Sequence, residues 1–414
     1  MKDYRLKMRR KTLFQQNKTD LKEAFPLKYW RGYLVAAIFG LFTYALQKFA
    51  ETHAVLLDMI YPYVTRLVQN VLCNWTSGVD FCVWQLAAVI LLLIAVASVI
   101  LMILLRWNVI QWLGWVLATA SVLFFLHTGL GGLNTYAGSI AEDIRMEQVE
   151  YTVAELADAT RYYRDKANEA AAQVSRSGGQ VKYPDFETLA EMAADGFHTL
   201  VYEDFYPIFA GSTTPVKKLG WADMYSSMGI TGVTMALTGE AAVNPQIPAV
   251  SMPFTMCHEM AHRMSIAVEK DANFAAFLAC EANGSPEFQY SAYFMAFRYC
   301  YGTLASVGTP ASNTALKEIA GGMSSQLQTD CAAYDQFFAS KKNETATKVA
   351  DTANDTYIKA SGDEAGLGSY GNVTDLLVSW YYQQEILPTK LVEEITFDPL
   401  DKTQVDVSDI VRVG

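Results

Sequence analysis

Charge is what this chain is short of, and the shortage is local. Only 18% of its 414 residues are Asp, Glu, Lys or Arg. Two runs, Gly32 to Ala50 and Trp84 to Leu105, carry almost no charge, and a third, Val109 to Leu126, carries none. Each is about 20 residues long, enough to cross a hydrocarbon core of roughly 30 Å, so a fully soluble protein is excluded. An apolar content of 51% excludes disorder. Positive charge is scarce after Asn108, where 19 Lys and Arg face 37 acids. No basic stripe is left there to meet phosphates, which argues against a nucleic-acid partner. Six cysteines do not fix a compartment, and Cys73 with Cys82 is the pair nearest in sequence.

What is present at the N-terminus is the opposite sign. Through Arg31 the chain carries ten Lys and Arg against three acids. Residues 1–30 therefore read as a basic arm held in the cytoplasm. A membrane domain follows over 31–128, with spans at about 32–50, 84–105 and 109–127. Arg106-Trp107-Asn108 forms a short cytoplasmic turn, and three spans then place 129–414 outside the cytoplasm. The arm preceding the first span and the lack of a small-residue cleavage site favour a retained anchor over a secretory signal.

Between the first two spans, apolar residues from Leu56 to Leu72 recur at three and four residues. The pattern predicts an amphipathic helix over 54–72, lying on the outer membrane face or packed on the following domain. Helices are expected from Ala141 to about Val174 and from Glu187 to Leu200, the latter carrying His198 as a structural or solvated residue. Short strands fall between Tyr202 and Pro253, including Gly232 to Leu237. Phe254 to Leu387 reads as mostly helical with loops near 284–286, 308–313 and 361–368, and 396–414 as a terminal strand or tail. The fold class is a mainly α membrane protein: three N-terminal transmembrane helices, then a mostly helical α+β domain with a small strand element.

Only five histidines occur, and two of them stand in His258-Glu259-Met260-Ala261-His262. On a helix, residues four apart share a face, so both imidazoles reach one metal ion while Glu259 sits beside them to handle a water. A catalytic zinc needs a third protein ligand and an open position. Glu269 is the first carboxylate downstream, yet on one continuous helix it would lie about 10.5 Å beyond His262. The helix must therefore break, and Met264-Ser265-Ile266 is the place for the turn. On the helix that follows, Asn273 shares the face of Glu269 and can hydrogen-bond a ligand or its neighbour, whereas Asp271 points elsewhere. Cys257 reads as a buried filler, and Met252, Met256, Met260 and Met264 as core packing.

HExxH followed by Glu269-x-x-Ala272-Asn273 resembles the pattern of the glutamate zincins, such as the Ste24-like and ImmA/IrrE-like peptidases. The chain more closely resembles a bacterial three-span membrane family, domain of unknown function 3810. That likeness rests on Thr238-Gly239-Glu240-Ala241, Pro253-Phe254-Thr255 before the HExxH, the Glu269 to Phe274 segment, Pro286 to Ser291 and Ser369-Tyr370-Gly371. The family tends to have Gln, Gly and Glu where this chain has Arg263, Ser265 and Asp271. Arg263 and Asp271 read as peripheral. Ser265 replaces glycine at the turn, at a cost on the order of 1 kcal/mol for a left-handed backbone. The resemblance implies a zincin-like domain over 129–414.

The resulting expectation is a membrane-anchored zinc peptidase. Zn2+ is held by His258, His262 and Glu269, with Glu259 as general base and Tyr370 as donor to the developing oxyanion. Substrates are peptides or proteins near the bilayer, with the segment from Gly232 to Leu237 as a strand that pairs with them. Two rivals are a zinc-binding membrane sensor or scaffold without turnover and a zinc hydrolase of a non-peptide envelope substrate. Oligomeric state is not legible in the sequence.

Overall fold

The structure, a computed structural model, describes residues 29–360 and 373–388. Nearly all of the basic arm, the loop expected at 361–368, Tyr370 and segment 396–414 lie outside these residues.

Three helices are long and apolar enough to cross a membrane: α1 (Arg31–Thr52), α3 (Val83–Leu104) and α4 (Val109–Leu130). At 22 residues each they extend about 33 Å. The helices α1 and α4 pack in parallel. A Cβ added to Gly32 would lie 2.3 Å from the Gly114 backbone, so only glycine lets the two chains approach this closely. Further along, the Phe39 and Phe125 rings meet edge to face at 5.3 Å. On α3 only Gln85 is buried, and the rest of the helix presents its apolar surface outward.

The expected amphipathic helix is α2 (Ala54–Thr76), separated from α1 by His53 alone. Its buried residues are Leu57, Pro62, Thr65, Arg66, Gln69 and Cys73, so that the face turned to the folded domain carries three polar side chains between apolar ones.

That domain begins with a short helix, α5 (Ile140–Asp143), and continues with α6 (Val153–Ala171), α7 (Phe186–Tyr202) and α8 (Ala222–Ser227). The single helix expected from Ala141 to Val174 is thus two. Arg145 is left-handed at φ 57°, and Thr152 opens a new helix through a capping box with Glu155. The Thr-x-x-Glu signature of that start is plain in the sequence and outweighs the charged, helix-compatible stretch before it. His198 is exposed on α7 beside the Tyr202 ring.

Two sheets occur among the described residues. The strands β1 (Arg176–Ser177) and β2 (Gln180–Val181) form a small hairpin. The other sheet contains β3 (Lys217–Lys218), β4 (Gly232–Met235) and β5 (Glu240–Val243) in the order β3-β5-β4. β5 runs parallel to β3 and antiparallel to β4, with Gly232 opposite Val243 and Met235 opposite Glu240, so β4 is an edge. The core is completed by α9 (Met252–Arg263), α10 (Glu269–Ala282), α11 (Pro286–Val307), α12 (Pro310–Gly321), α13 (Ser325–Lys341), α14 (Glu344–Ala360) and α15 (Val373–Tyr381). Helices α9, α11 and α12 each open with proline in the first turn, where its missing N–H costs nothing. Met252, Met256, Met260 and Met264 are all buried, as their four-residue spacing predicts for a core stripe. Helix α10 packs against α7, α9 and α11, which places the start of α10 beside the end of α9.

Candidate metal centre

Helix α9 ends at Arg263 and α10 begins at Glu269. Between them Ser265 takes the left-handed conformation, φ 75°, at the turn that the distance from His262 to Glu269 demanded. The break folds Glu269 back onto the face of α9 that carries both histidines. His262 Nε2 lies 3.1 Å from His258 Nε2. Glu269 Oε2 is 3.4 Å from His258 Nε2, and Glu269 Oε1 is 3.7 Å from His262 Nε2.

These separations test whether a zinc ion fits. Ligands about 2.0–2.1 Å from a tetrahedral zinc stand roughly 3.3–3.4 Å from one another, in the middle of the observed range. His262 Nδ1 lies 2.8 Å from the Ile266 carbonyl. A carbonyl only accepts, so Nδ1 carries a proton and Nε2 is the nitrogen left to a metal. Glu269 Oε2 is buried and lacks a hydrogen-bond donor, and His258 Nδ1 is likewise buried without a partner. Buried polar atoms are rarely left so, and the Glu269 oxygen fits a cation held among the three residues.

The electrostatics agree. Burial works to raise the Glu269 carboxyl, but the facing imidazoles overcome it and hold the group well below the usual carboxylate range. Burial likewise lowers His262, and Glu269 more than reverses this, lifting the imidazole to about 9. The cluster is thus built to hold positive charge. Glu259 differs: burial pushes its carboxyl above the ordinary value while the two histidines pull it down.

Glu259 is 4% exposed. Its carboxylate is covered by β4, where a Cβ at Gly232 would lie 2.3 Å from Glu259 Oε1, so that any side chain at residue 232 would push the carboxylate from this position. Thr234, two residues on, bonds to the same carboxylate. On the other side, Asn273 accepts a hydrogen bond from the Tyr299 hydroxyl at 3.1 Å, while its own Nδ2 is buried without a partner. All these residues line a cleft of about 860 Å³. Its walls include Gly232 to Thr234, His127 and Leu130 at the end of α4, Gln69 of α2, and Ala350 and Asp351 of α14.

Residues 57–378 match the family described as Protein of unknown function (DUF3810). The chain belongs to that family. No curated protein and no solved structure matches it. The DUF3810 match runs from α2 through α15 and includes His258, Glu259, His262 and Glu269.

Several residues of this DUF3810 chain act differently from what their sequence context suggests. Arg263 is not peripheral: it is 1% exposed. It donates to Cys73 Sγ at 3.4 Å, to the Ser212 carbonyl at 2.9 Å and to the Thr214 carbonyl. It therefore ties the end of α9 to α2 and to the segment before β3. Asp271 is buried as well, accepting from the Ser139 hydroxyl at 3.0 Å. Cys73 and Cys82 are not paired, and all six cysteines are free. Cys73 serves Arg263, and the Cys82 thiol donates to the Lys218 carbonyl. Cys257 is a fully buried filler, as expected. The roles of Thr234, Arg263 and Tyr299 carry no local sequence signature, because each depends on which distant element lies opposite.

Proposed function

We propose that this protein is a membrane-anchored zinc metallopeptidase. His258, His262 and Glu269 hold one zinc ion, and Glu259 is the general base. The observation that carries this reading is the spacing of the three donor groups, whose ligating atoms all lie within 4.8 Å of one another. When bound, zinc supplies a Lewis acid that polarises a carbonyl and makes water acidic near neutrality.

The chain's own residues do the rest. Glu259 accepts a proton from the water that attacks the scissile carbonyl carbon. It returns that proton to the nitrogen as the C–N bond breaks. Burial raises the Glu259 carboxyl above its ordinary value, the direction that makes it a stronger base. Its burial and its hydroxyl partner favour turnover over a bare metal-binding sensor, which has no use for a base at this position. The free edge of β4 lines the cleft, so an extended substrate is read as adding a strand there. The end of a membrane-crossing helix in the cleft wall supports substrates close to the bilayer. The basic arm supports a cytoplasmic N-terminus and an extracytoplasmic catalytic domain.

The test is a digest of a peptide library by the full-length protein in lipid nanodiscs, with metal content measured on the same sample. Glu259→Gln should keep the metal and lower cleavage by about 10²–10⁴. Unchanged cleavage removes the mechanism, and lost metal makes Glu259 a ligand.

A further inference from the structure

Helix α2 is amphipathic in an unusual sense: its polar side is inside. Thr65 Oγ1 bonds Ser265 Oγ at 2.9 Å, Arg66 Nε donates to the Met264 carbonyl at 3.2 Å, and Gln69 Nε2 donates to the Leu130 and Ala236 carbonyls at 3.0 Å. The opposite side carries Leu56, Met59, Ile60, Val64, Leu67 and Val71, which are 43–67% exposed. No charged residue of α2 is exposed.

The direction of α2 follows from its contacts. The Tyr61 hydroxyl donates to the Thr128 carbonyl, and Gln69 reaches the Leu130 carbonyl. From Tyr61 to Gln69 the helix advances about 12 Å, while its partner on α4 moves by only two residues. α2 therefore runs across the end of α4 rather than along it. It is tied to the membrane-crossing helices at both of its own ends, through His53 to α1 and through the segment 77–82 to α3. A helix held at the ends of the spans in this way lies at the level of the lipid headgroups.

We propose that the apolar face of α2 is seated in the bilayer leaflet nearest the folded domain, with lipid as its partner. The bilayer then supports the helix whose other face holds the Met264-Ser265 turn between the two helices of the candidate metal centre. The seating itself does not depend on a metal or on peptidase activity. It accounts for a face that water would otherwise meet with no charge and, apart from Tyr63 and Asn74, no polar side chain.

The test uses the full chain in phosphatidylcholine nanodiscs loaded with one copy each. Ile60→Cys and Leu67→Cys place thiols on the apolar face, and Ser306→Cys places one on an exposed turn of α11. The parent protein supplies the background from the native cysteines. Because the thiolate is the reactive form, a charged maleimide should label the two α2 thiols roughly tenfold or more slowly than the control. Equal rates overturn the proposal. Fast labelling in single-copy nanodiscs with protection only in crowded vesicles also overturns it, in favour of a second copy of the chain. Met59→Cys and Val64→Cys report on the same face should either first variant misfold.

Discussion

The Thr234 hydroxyl lies 2.7 Å from Glu259 Oε2 and 2.8 Å from the Glu259 carbonyl oxygen. A hydroxyl has one proton to give and lone pairs to receive another. Facing an ionised Glu259, it donates to the carboxylate. Facing a protonated one, it donates to the Glu259 carbonyl and accepts from the carboxyl O–H. Thr234 thus holds the Glu259 carboxyl in place in both protonation states. Thr234→Val, nearly the same size, should lower kcat by about tenfold or more at unchanged metal content. Thr234→Ser should restore most of the rate, an outcome that packing alone would not give.

Metal analysis of the purified full-length protein should find close to one zinc per chain. His262→Ala removes one of the three proposed ligands and its tie to Ile266, and should lose the metal. A wild-type protein carrying no divalent metal after gentle purification would leave the cluster without its assigned role.

Glu240 offers a test outside the candidate centre. It is 1% exposed. It accepts from the backbone N–H groups of Val83 and Trp84 at the start of α3 and from Lys217 Nζ at 2.7 Å. The carboxylate meets both a helix N-terminus and a shielded ammonium. Glu240→Gln leaves Lys217 without its countercharge and should cost on the order of 3 kcal/mol. Adding Lys217→Met should recover part of that loss, measurable as non-additive melting temperatures.

Glu281 sets a pH dependence. Burial raises its carboxyl to about 7, against hydrogen bonds from Tyr293 and Trp380 that pull it down, from an ordinary value of 4.5. Between these two values the native state holds a proton that the unfolded chain has released, so stability falls as pH rises and levels off above 7. The total loss is on the order of 3 kcal/mol as an upper bound. Wild type should melt lower at pH 8 than at pH 5 in thermal scans, and Glu281→Gln should flatten that difference.

Much of the fold was legible because it rests on local signals. Charge-poor runs marked α1, α3 and α4, and methionine spacing marked the core face of α9. The distance from His262 to Glu269 required a turn where Ser265 makes one. Pairings across long separations were not legible. Arg263 looked peripheral because its partners are Cys73, Ser212 and Thr214, and nothing near Arg263 announces them. For the same reason the strand of Thr234 could be suggested as a substrate edge, while its hydroxyl's contact with Glu259 could not.

The helix that lies across the end of α4 precedes two membrane crossings in the chain, yet its polar side chains complete the turn beneath the candidate ligands. A protease cut or an expression boundary placed after Leu130 would deprive Met264, Ser265 and Arg263 of Arg66, Thr65 and Cys73. It would also remove Gln69 from the cleft wall. A fragment of residues 131–414 produced alone is therefore expected to misfold, so that a chain severed at this point loses the candidate centre instead of releasing it intact.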